Sequence, residues 1–385
     1  AGLAAFEKAI ALDPDFTRAM SEFVGLLALQ NFTINDPAEI AQIEALIERI
    51  GSVAPNSVDH LMAQGFYSYY ILRDYPLARQ LIGESRKRAP SDTRLLNIES
   101  FIARRMGDLE TWGDAARESW RLEPRNQRWA GYLTNNLMIM HRYDEARSVA
   151  ASVEDPVFGL AMLRTELNLA EHHNPLRYRD DVRALVERYD EDDIDATFAL
   201  LEANLLVRDY AAAREVVAAM PELPYKPQQT IVLLPPKPSA QLLLGISTGD
   251  RELLGNTLAD ITTGLGLDDD PEGERRAKIH PSFLLLMAAA SDSPDALRAA
   301  LVTYEAYMRD DLAAAMGGQE EFCSALAVLE DAARTVDCLR QGASRPSDIR
   351  PYLEPLYPVY DTVRGTAEFQ QLLSEFAAQG WLETP

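Results

Sequence analysis

Side chains that carry catalysis are scarce in this sequence: of 385 residues, five are histidine and two are cysteine. No serine occupies a Gly-x-Ser-x-Gly elbow. With no nucleophile constellation, an enzyme is not expected, and neither a cofactor nor a metal is implied. Basic residues are outnumbered, 37 Lys and Arg against 60 Asp and Glu, for a net charge of −23. Such a surface repels phosphate, so nucleic acid and anionic membrane are not expected as direct partners of this segment. No apolar run reaches the roughly 18 residues that a membrane-crossing helix needs. Glycine (20) and proline (22) are modest and lie mostly at helix ends, which argues against long disordered stretches. The two cysteines, Cys323 and Cys338, leave two alternatives open. On one unbroken helix they would stand about 22 Å apart, far beyond the roughly 7 Å reach of a disulfide. A turn at Glu330-Asp331 would instead set them face to face across a hairpin. Unbridged, they would be two small buried hydrophobes.

What the sequence does have is a repeat. Tyr-x-x-Ala-Arg occurs at Tyr75–Arg79, Tyr143–Arg147 and Tyr210–Arg214, with starts 68 and 67 residues apart. That is twice a 34-residue period, the spacing of stacked helical hairpins too small to bury their own apolar faces. Pro14, Pro55, Pro90 and Pro124 follow at intervals of 41, 35 and 34 residues. Each closes a helix, because proline cannot donate the next helical hydrogen bond and disfavours helix in the residue before it. Within residues 59–90, Met62, Phe66 and Tyr69 share one helix face, Asp74-Tyr75 makes the turn, and Ala78, Ile82 and Ser85 lie on the second helix. Ala78 and Ala213 are expected to be buried where helices cross. The next units run 91–124, with a turn at Gly107-Asp108, then 125–156 with Leu133, Leu137, Tyr143 and Ala146. A degenerate unit follows near 157–190, and the pattern returns at 191–224 with Leu200, Leu201, Asn204, Tyr210, Ala213 and Val217.

The run Phe6-x-x-Ala9-x-x-Leu12-Asp13-Pro14, with Tyr69, Asp74-Tyr75, Ala78 and Pro90, resembles the tetratricopeptide (TPR) repeat family. The large tryptophan of the family's first helix is missing; Met62, Leu95 and Trp129 lie near its place. The resemblance implies an all-α, right-handed α-solenoid of about eight or nine hairpins, in which the first helix of each hairpin lines a concave groove. Residues 65–75, Arg104-Arg105-Met106-Gly107-Asp108, Arg121-Leu122-Glu123-Pro124 and the tail around Pro355, Tyr357, Pro358, Asp361, Arg364 and Phe369 are similar to TPR arrays of bacterial signalling proteins. Such arrays sit behind class III adenylate or guanylate cyclases, kinases or winged-helix regulators. The opening residues do not read as a signal peptide. The chain opens at Ala1-Gly2 inside what should be the second helix of a repeat, so it reads as part of a longer protein, and its location stays open.

Three regions are expected: regular hairpins over 1–220, a proline-rich connector over 221–238, and divergent hairpins with capping helices over 239–385. The connector holds six prolines and a β-branched run, Thr230 to Leu234, expected to be extended and buried against helices. Beyond it, helix pairs are expected at 239–247 and 251–264 and at 281–290 and 294–308, and a further helical segment over 318–341. Residues 270–279 read as a solvated charged loop. Short helices near 350–362 and 366–379 close the array, with Trp381 over the last apolar edge.

Other fragments of chemistry are weak. His172-His173 beside Glu171 reads as a solvated helix end. Asp190–Asp193 and Asp268–Asp270 lack the ligand spacing of a calcium loop. Gly264-Leu265-Gly266 reads as a helix stop, and Asn31-Phe32-Thr33 as a coincidental glycosylation motif.

The stronger candidate is the groove. By register, His60, Gln64, Tyr67 and Tyr70 face it from one first helix, Arg94, Asn97, Phe101 and Arg105 from the next, and Arg128, Tyr132, Asn135 and Asn136 from the third. Amides can pair with a peptide backbone and arginine with a carboxylate. The binding residues expected are therefore Gln64, Tyr67, Tyr70, Arg94, Asn97, Arg128 and Asn135, acting on a protein or peptide partner. Opposed to this, the arginines could pair with neighbouring acids. A small-molecule sensor, with Tyr67, Tyr69, Tyr70 and Phe101 around the ligand, and a self-assembly module forming a homodimer are the alternatives.

Overall fold

In the computed structural model, residues 2–34, 36–189, 194–226 and 231–383 are described. The fold expected from the repeat is the fold observed: an all-α array of helical hairpins. Among the described residues, 22 α-helices follow one another, 18 of them as nine consecutive pairs, and the only β contact is an isolated parallel bridge between Val232 and Ile279. By contact density the chain divides into two compact units, one through Trp129 with Ile231, the other from Ala130 onward.

The first unit contains α1 (Gly2–Leu12), α2 (Thr17–Ile34), α3 (Pro37–Val53), α4 (Val58–Tyr70), α5 (Tyr75–Arg88), α6 (Thr93–Arg105) and α7 (Leu109–Leu122). The unit boundary falls inside α8 (Gln127–Ile139). The second unit continues with α9 (Tyr143–Ala151), α10 (Phe158–His172), α11 (Pro175–Tyr189), α12 (Ile194–Leu206) and α13 (Tyr210–Ala219). After the proline-rich stretch come α14 (Pro236–Thr248), α15 (Arg251–Leu265), α16 (Pro281–Ala290), α17 (Pro294–Asp310), α18 (Leu312–Gly317), α19 (Gln319–Val328), α20 (Ala332–Ser344), α21 (Asp361–Arg364) and α22 (Ala367–Ala378).

One turn recurs between the helices of a pair. Arg73, Gly107, Arg208, Gly249 and Glu330 each adopt positive φ, and an aspartate follows. Those aspartates, Asp74, Asp108, Asp209, Asp250 and Asp331, accept the backbone N–H three residues on, closing the first turn of the second helix. The expected core positions hold. Met62, Tyr69, Ala78 and Ile82 are buried in one cluster with Leu95 and Ile98. Ala213 packs with Leu201, Leu205, Val217 and Leu244. Gly65 permits the tight crossing of α4 and α5: a Cβ there would fall 2.5 Å from Ile82 Cδ1. Ala78 and Ala213 are fully buried, so Ala78→Leu and Ala213→Leu are each expected to cost about 1–3 kcal/mol by overpacking. Urea titration checks this; unchanged midpoints for both would refute the packing.

The connector departs from expectation at its end. Pro236 and Pro238 lie in the first turn of α14, where a missing N–H costs nothing because those donors have no intrahelical acceptor. Before it, Val232 and Leu234 are buried and Leu233 is exposed, the alternation of an extended strand. Thr230 lies outside the described residues.

The second unit also closes on itself, which a stack of nearest-neighbour hairpins does not require. Residues 345–361 return to helices some 140–210 positions earlier. Ser347 N–H donates to Ile139 O at 3.0 Å, and His141 Nε2 lies 3.2 Å from Ile349 O. Arg350 pairs with Glu166 at 2.9 Å, and Tyr352 donates to the same carboxylate at 2.9 Å. Arg208 pairs with Asp361 at 2.6 Å. The short helices expected near 350–362 are thus two 3₁₀ turns and α21, engaged with α8–α12 as well as with the last hairpin. Trp381 packs on Phe376, ring centroids 5.3 Å apart.

Cys323 and Cys338 are bridged, with Cα atoms 5.5 Å apart. The turn at Leu329–Asp331 splits 319–344 into α19 and α20 and sets them face to face. Of the smaller fragments, His173 caps α10 in the left-handed conformation, and Gly266 caps α15 in the same way. The Asp270 carboxylate accepts backbone N–H groups of Arg275 and Arg276, which hold it below the usual range. Asn31 is buried, donating to Leu27 O and Glu39. Asp190–Asp193 lie outside the described residues.

Candidate functional site

Of the residues expected to line a groove, Arg94, Tyr67 and Tyr70 are engaged within the fold of the first unit. Arg94, on α6, donates to Glu22 at 2.6 Å and to Asp92, with Asp59 at 4.0 Å. Its hydrogen bond to Asp92, ahead of burial, governs its charge, and the arginine is held cationic. Tyr67, on α4, donates to Glu44 at 2.6 Å, which pushes the phenol up to about 12. Tyr70 is buried among Phe32, Phe66 and Tyr69, with centroid separations of 6.1, 6.3 and 4.7 Å. These rings fill the core of the first unit. Gln64 and Asn97 are half-buried on α4 and α6. Arg128 is exposed and stacks over Trp129. Asn135, half-buried on α8, belongs to the second unit.

A different cavity, of about 540 Å³, lies inside the second unit. The first helices of four pairs line it: Phe198 and Glu202 from α12, Leu243 and Ile246 from α14, Phe283, Leu285 and Leu286 from α16, and Glu320, Glu321, Ser324 and Val328 from α19. Leu233, Val359, Ala289, Ala325, Ser239, His280 and Ser282 complete the wall. Glu202 and Glu320 also border a smaller adjoining space of about 50 Å³ with Glu354 and Tyr357. A second cavity of about 500 Å³ is lined by Arg251, Asp292 and Arg298, whose charges are already matched in ion pairs.

Electrostatically the first cavity is one-sided. Burial, and then the charge of Glu166, pushes Glu202 up to about 7. Burial raises Glu320, with Glu354 and Asp348 adding to it. Glu321 is raised by burial although its side chain is open to the cavity, and Tyr304 lies 3.4 Å from it. Behind the wall, burial lifts Glu354 to about 8, against the pull of a 2.5 Å hydrogen bond from Tyr360. Asp348 is likewise pushed up to about 7 by burial. His280, the one basic residue on the wall, is held neutral by burial; Nδ1 accepts Ser282 N–H, and Nε2 lies 3.2 Å from the Tyr307 hydroxyl. Among the described residues, no group of three or more His, Cys, Asp or Glu has metal-binding geometry.

No protein-family model matches the chain, and no curated protein matches it. Solved structures do. PilF of Pseudomonas aeruginosa aligns at 13% identity and a TM-score of 0.40, covering 52% of this chain and 90% of its own. Yeast Tom70 aligns at 12% and 0.39, covering 98% and 84%. The TPR domain of P58(IPK) aligns at 13% and 0.24, covering 84% and 97%. At these scores the fold assignment rests on the chain's own hairpins.

The residues expected from register lie on the first helices α4, α6 and α8; the cavity is also lined from first helices, those of α12, α14, α16 and α19. Glu202 did leave a signal: it is the one acid in the apolar stretch Phe198-Ala-Leu-Leu-Glu-Ala-Asn-Leu-Leu206 of α12, whose other acid, Asp195, sits in the first turn. Charged residues are rarely buried without a reason.

Proposed function

We propose that the chain is a non-catalytic helical-hairpin scaffold that recognises a protein or peptide partner through the cavity of its second unit. The observation that supports this most directly is the convergence of four first helices on one apolar space with carboxylates at its wall. Its volume lies in the range of sites that take a small ligand or a side chain. Acids there favour a basic partner, in line with the net charge of −23. The resemblance to arrays of bacterial signalling proteins suits a sensory module that reports occupancy to an output domain.

Selection of random 12-residue peptides against the chain tests this. Selected peptides should bind the wild type and lose at least tenfold in affinity to Ala289→Phe, which narrows the cavity. Peptides that bind both proteins equally, or no peptides at all, would overturn it.

A further inference from the structure

The cavity wall carries three carboxylates and no lysine or arginine. Neither Glu202 nor Glu320 has a side-chain hydrogen bond or ion pair among the described residues, and both are half-buried where they line the cavity and the smaller space beside it. A half-buried carboxylate without a partner is costly, whether ionised or forced to hold a proton. The fold keeps two such groups on different helices, α12 and α19, and turns both to the same space. The rest of the wall is mostly apolar, with Phe198, Leu243, Ile246, Leu285, Leu286 and Val328 outnumbering Ser239, His280, Ser282 and Ser324. An occupant that satisfies both features has an apolar body and a compact cationic head.

We propose that this cavity takes a primary ammonium carried on an unbranched apolar chain, held by Glu202, Glu320 and Glu321. An ammonium is a point charge with three rotatable donors, which can serve acids arriving from different helices. A guanidinium fork needs one carboxylate presented bidentately, and a metal ion needs a ligand set that is not present among the described residues. The chemistry is shared by a free alkylamine and by a lysine side chain of a peptide. The inference rests on the partner-binding reading above and names what that site selects.

Binding should strengthen as pH rises from 5 to 8, because an ammonium engages ionised carboxylates. The groups that face Glu202 and Glu320 are Glu166 on α10, Tyr178 on α11, Glu321 on α19, and Asp348, Glu354, Tyr357 and Tyr360 on the returning segment. His280 lies on the wall, and Arg350 is committed to Glu166.

Calorimetric titration of the full chain with hexylamine, hexan-1-ol and an N- and C-blocked lysine pentapeptide decides the matter at pH 8 and pH 5. Hexylamine or the peptide should bind at pH 8 at least tenfold more tightly than hexan-1-ol, and more weakly at pH 5. Glu202→Gln and Glu320→Gln should each lose tenfold or more; having two variants guards against one failing to fold. The tighter of the two ammonium ligands identifies the source. Equal binding of hexan-1-ol and hexylamine, or glutamine variants that bind as the wild type does, would overturn the ammonium assignment. If selected peptides still depend on an unfilled cavity in that case, the partner-binding reading stands without it. If nothing binds, both fall.

Discussion

Replacing Cys323 and Cys338 together with alanine should lower the stability of the second unit by about 3 kcal/mol. The bridge closes a loop of 15 residues, and in the chain-entropy account that loop restricts the unfolded chain by roughly this amount. For a unit of this size the melting temperature should fall by about 6–12 °C. Calorimetry on wild type and double mutant, each with and without reductant, checks it. Reductant should reproduce the mutant's shift in the wild type and leave the mutant unmoved. Two thiols that alkylate in the native, unreduced protein would refute the bridge. Gln319, Cys323 and Cys338 share one buried spot, with the Gln319 amide 3.1 Å from Cys338 Sγ. The effect should therefore reach the start of α19, where Glu320 and Glu321 stand.

Stability should also fall between pH 5 and pH 8, and Glu202→Gln should reduce that fall. Glu202, Asp348 and Glu354 have folded-state pKa values raised to about 7, 7 and 8. The folded state holds their protons more tightly than the unfolded state does. Their contribution is fully present below about pH 4 and is lost as pH rises through 7–8. For Glu202 alone, raised from 4.5 to about 7, the loss across the window is on the order of 2 to 3 kcal/mol. Carboxylates with lowered values, such as Asp92 and Asp108, act below the window. His141 and His280, kept neutral by burial, act in the opposite sense below about pH 6.5. The difference between Glu202→Gln and wild type isolates the glutamate. That difference, measured by urea unfolding, should favour the mutant increasingly from pH 5 to 8. A constant difference would sink the assignment of Glu202 as a half-buried acid without a side-chain partner.

The hairpins were legible because their signals are local. Asp74, Asp108 and Asp250 sit at turns where a cap is needed, and Met62, Tyr69, Ala78 and Ile82 recur at helical spacing. The fate of Arg94 was not legible, since Glu22 lies 72 positions away and the register alone points the arginine at a groove. Nor was the return of residues 345–361. Ile139 with Ser347, and Glu166 with Arg350, follow no period, and their pairing is decided only once the intervening hairpins have stacked. The cavity inherits this: Glu202 and Glu320 are 118 positions apart, and only packing makes them neighbours.

The return of residues 345–361 onto α8–α12 bears on how the second unit comes apart. A linear stack of repeats can fray from either end, each hairpin leaving at its own free energy. Here Ser347, Arg350 and Asp361 fasten late residues to Ile139, Glu166 and Arg208, so α13 through α20 are spanned by a clasp. Losing the last helices would unfasten the middle ones as well. Hydrogen exchange should therefore find α10 and α19 opening together, as one cooperative block, although 146 residues separate them.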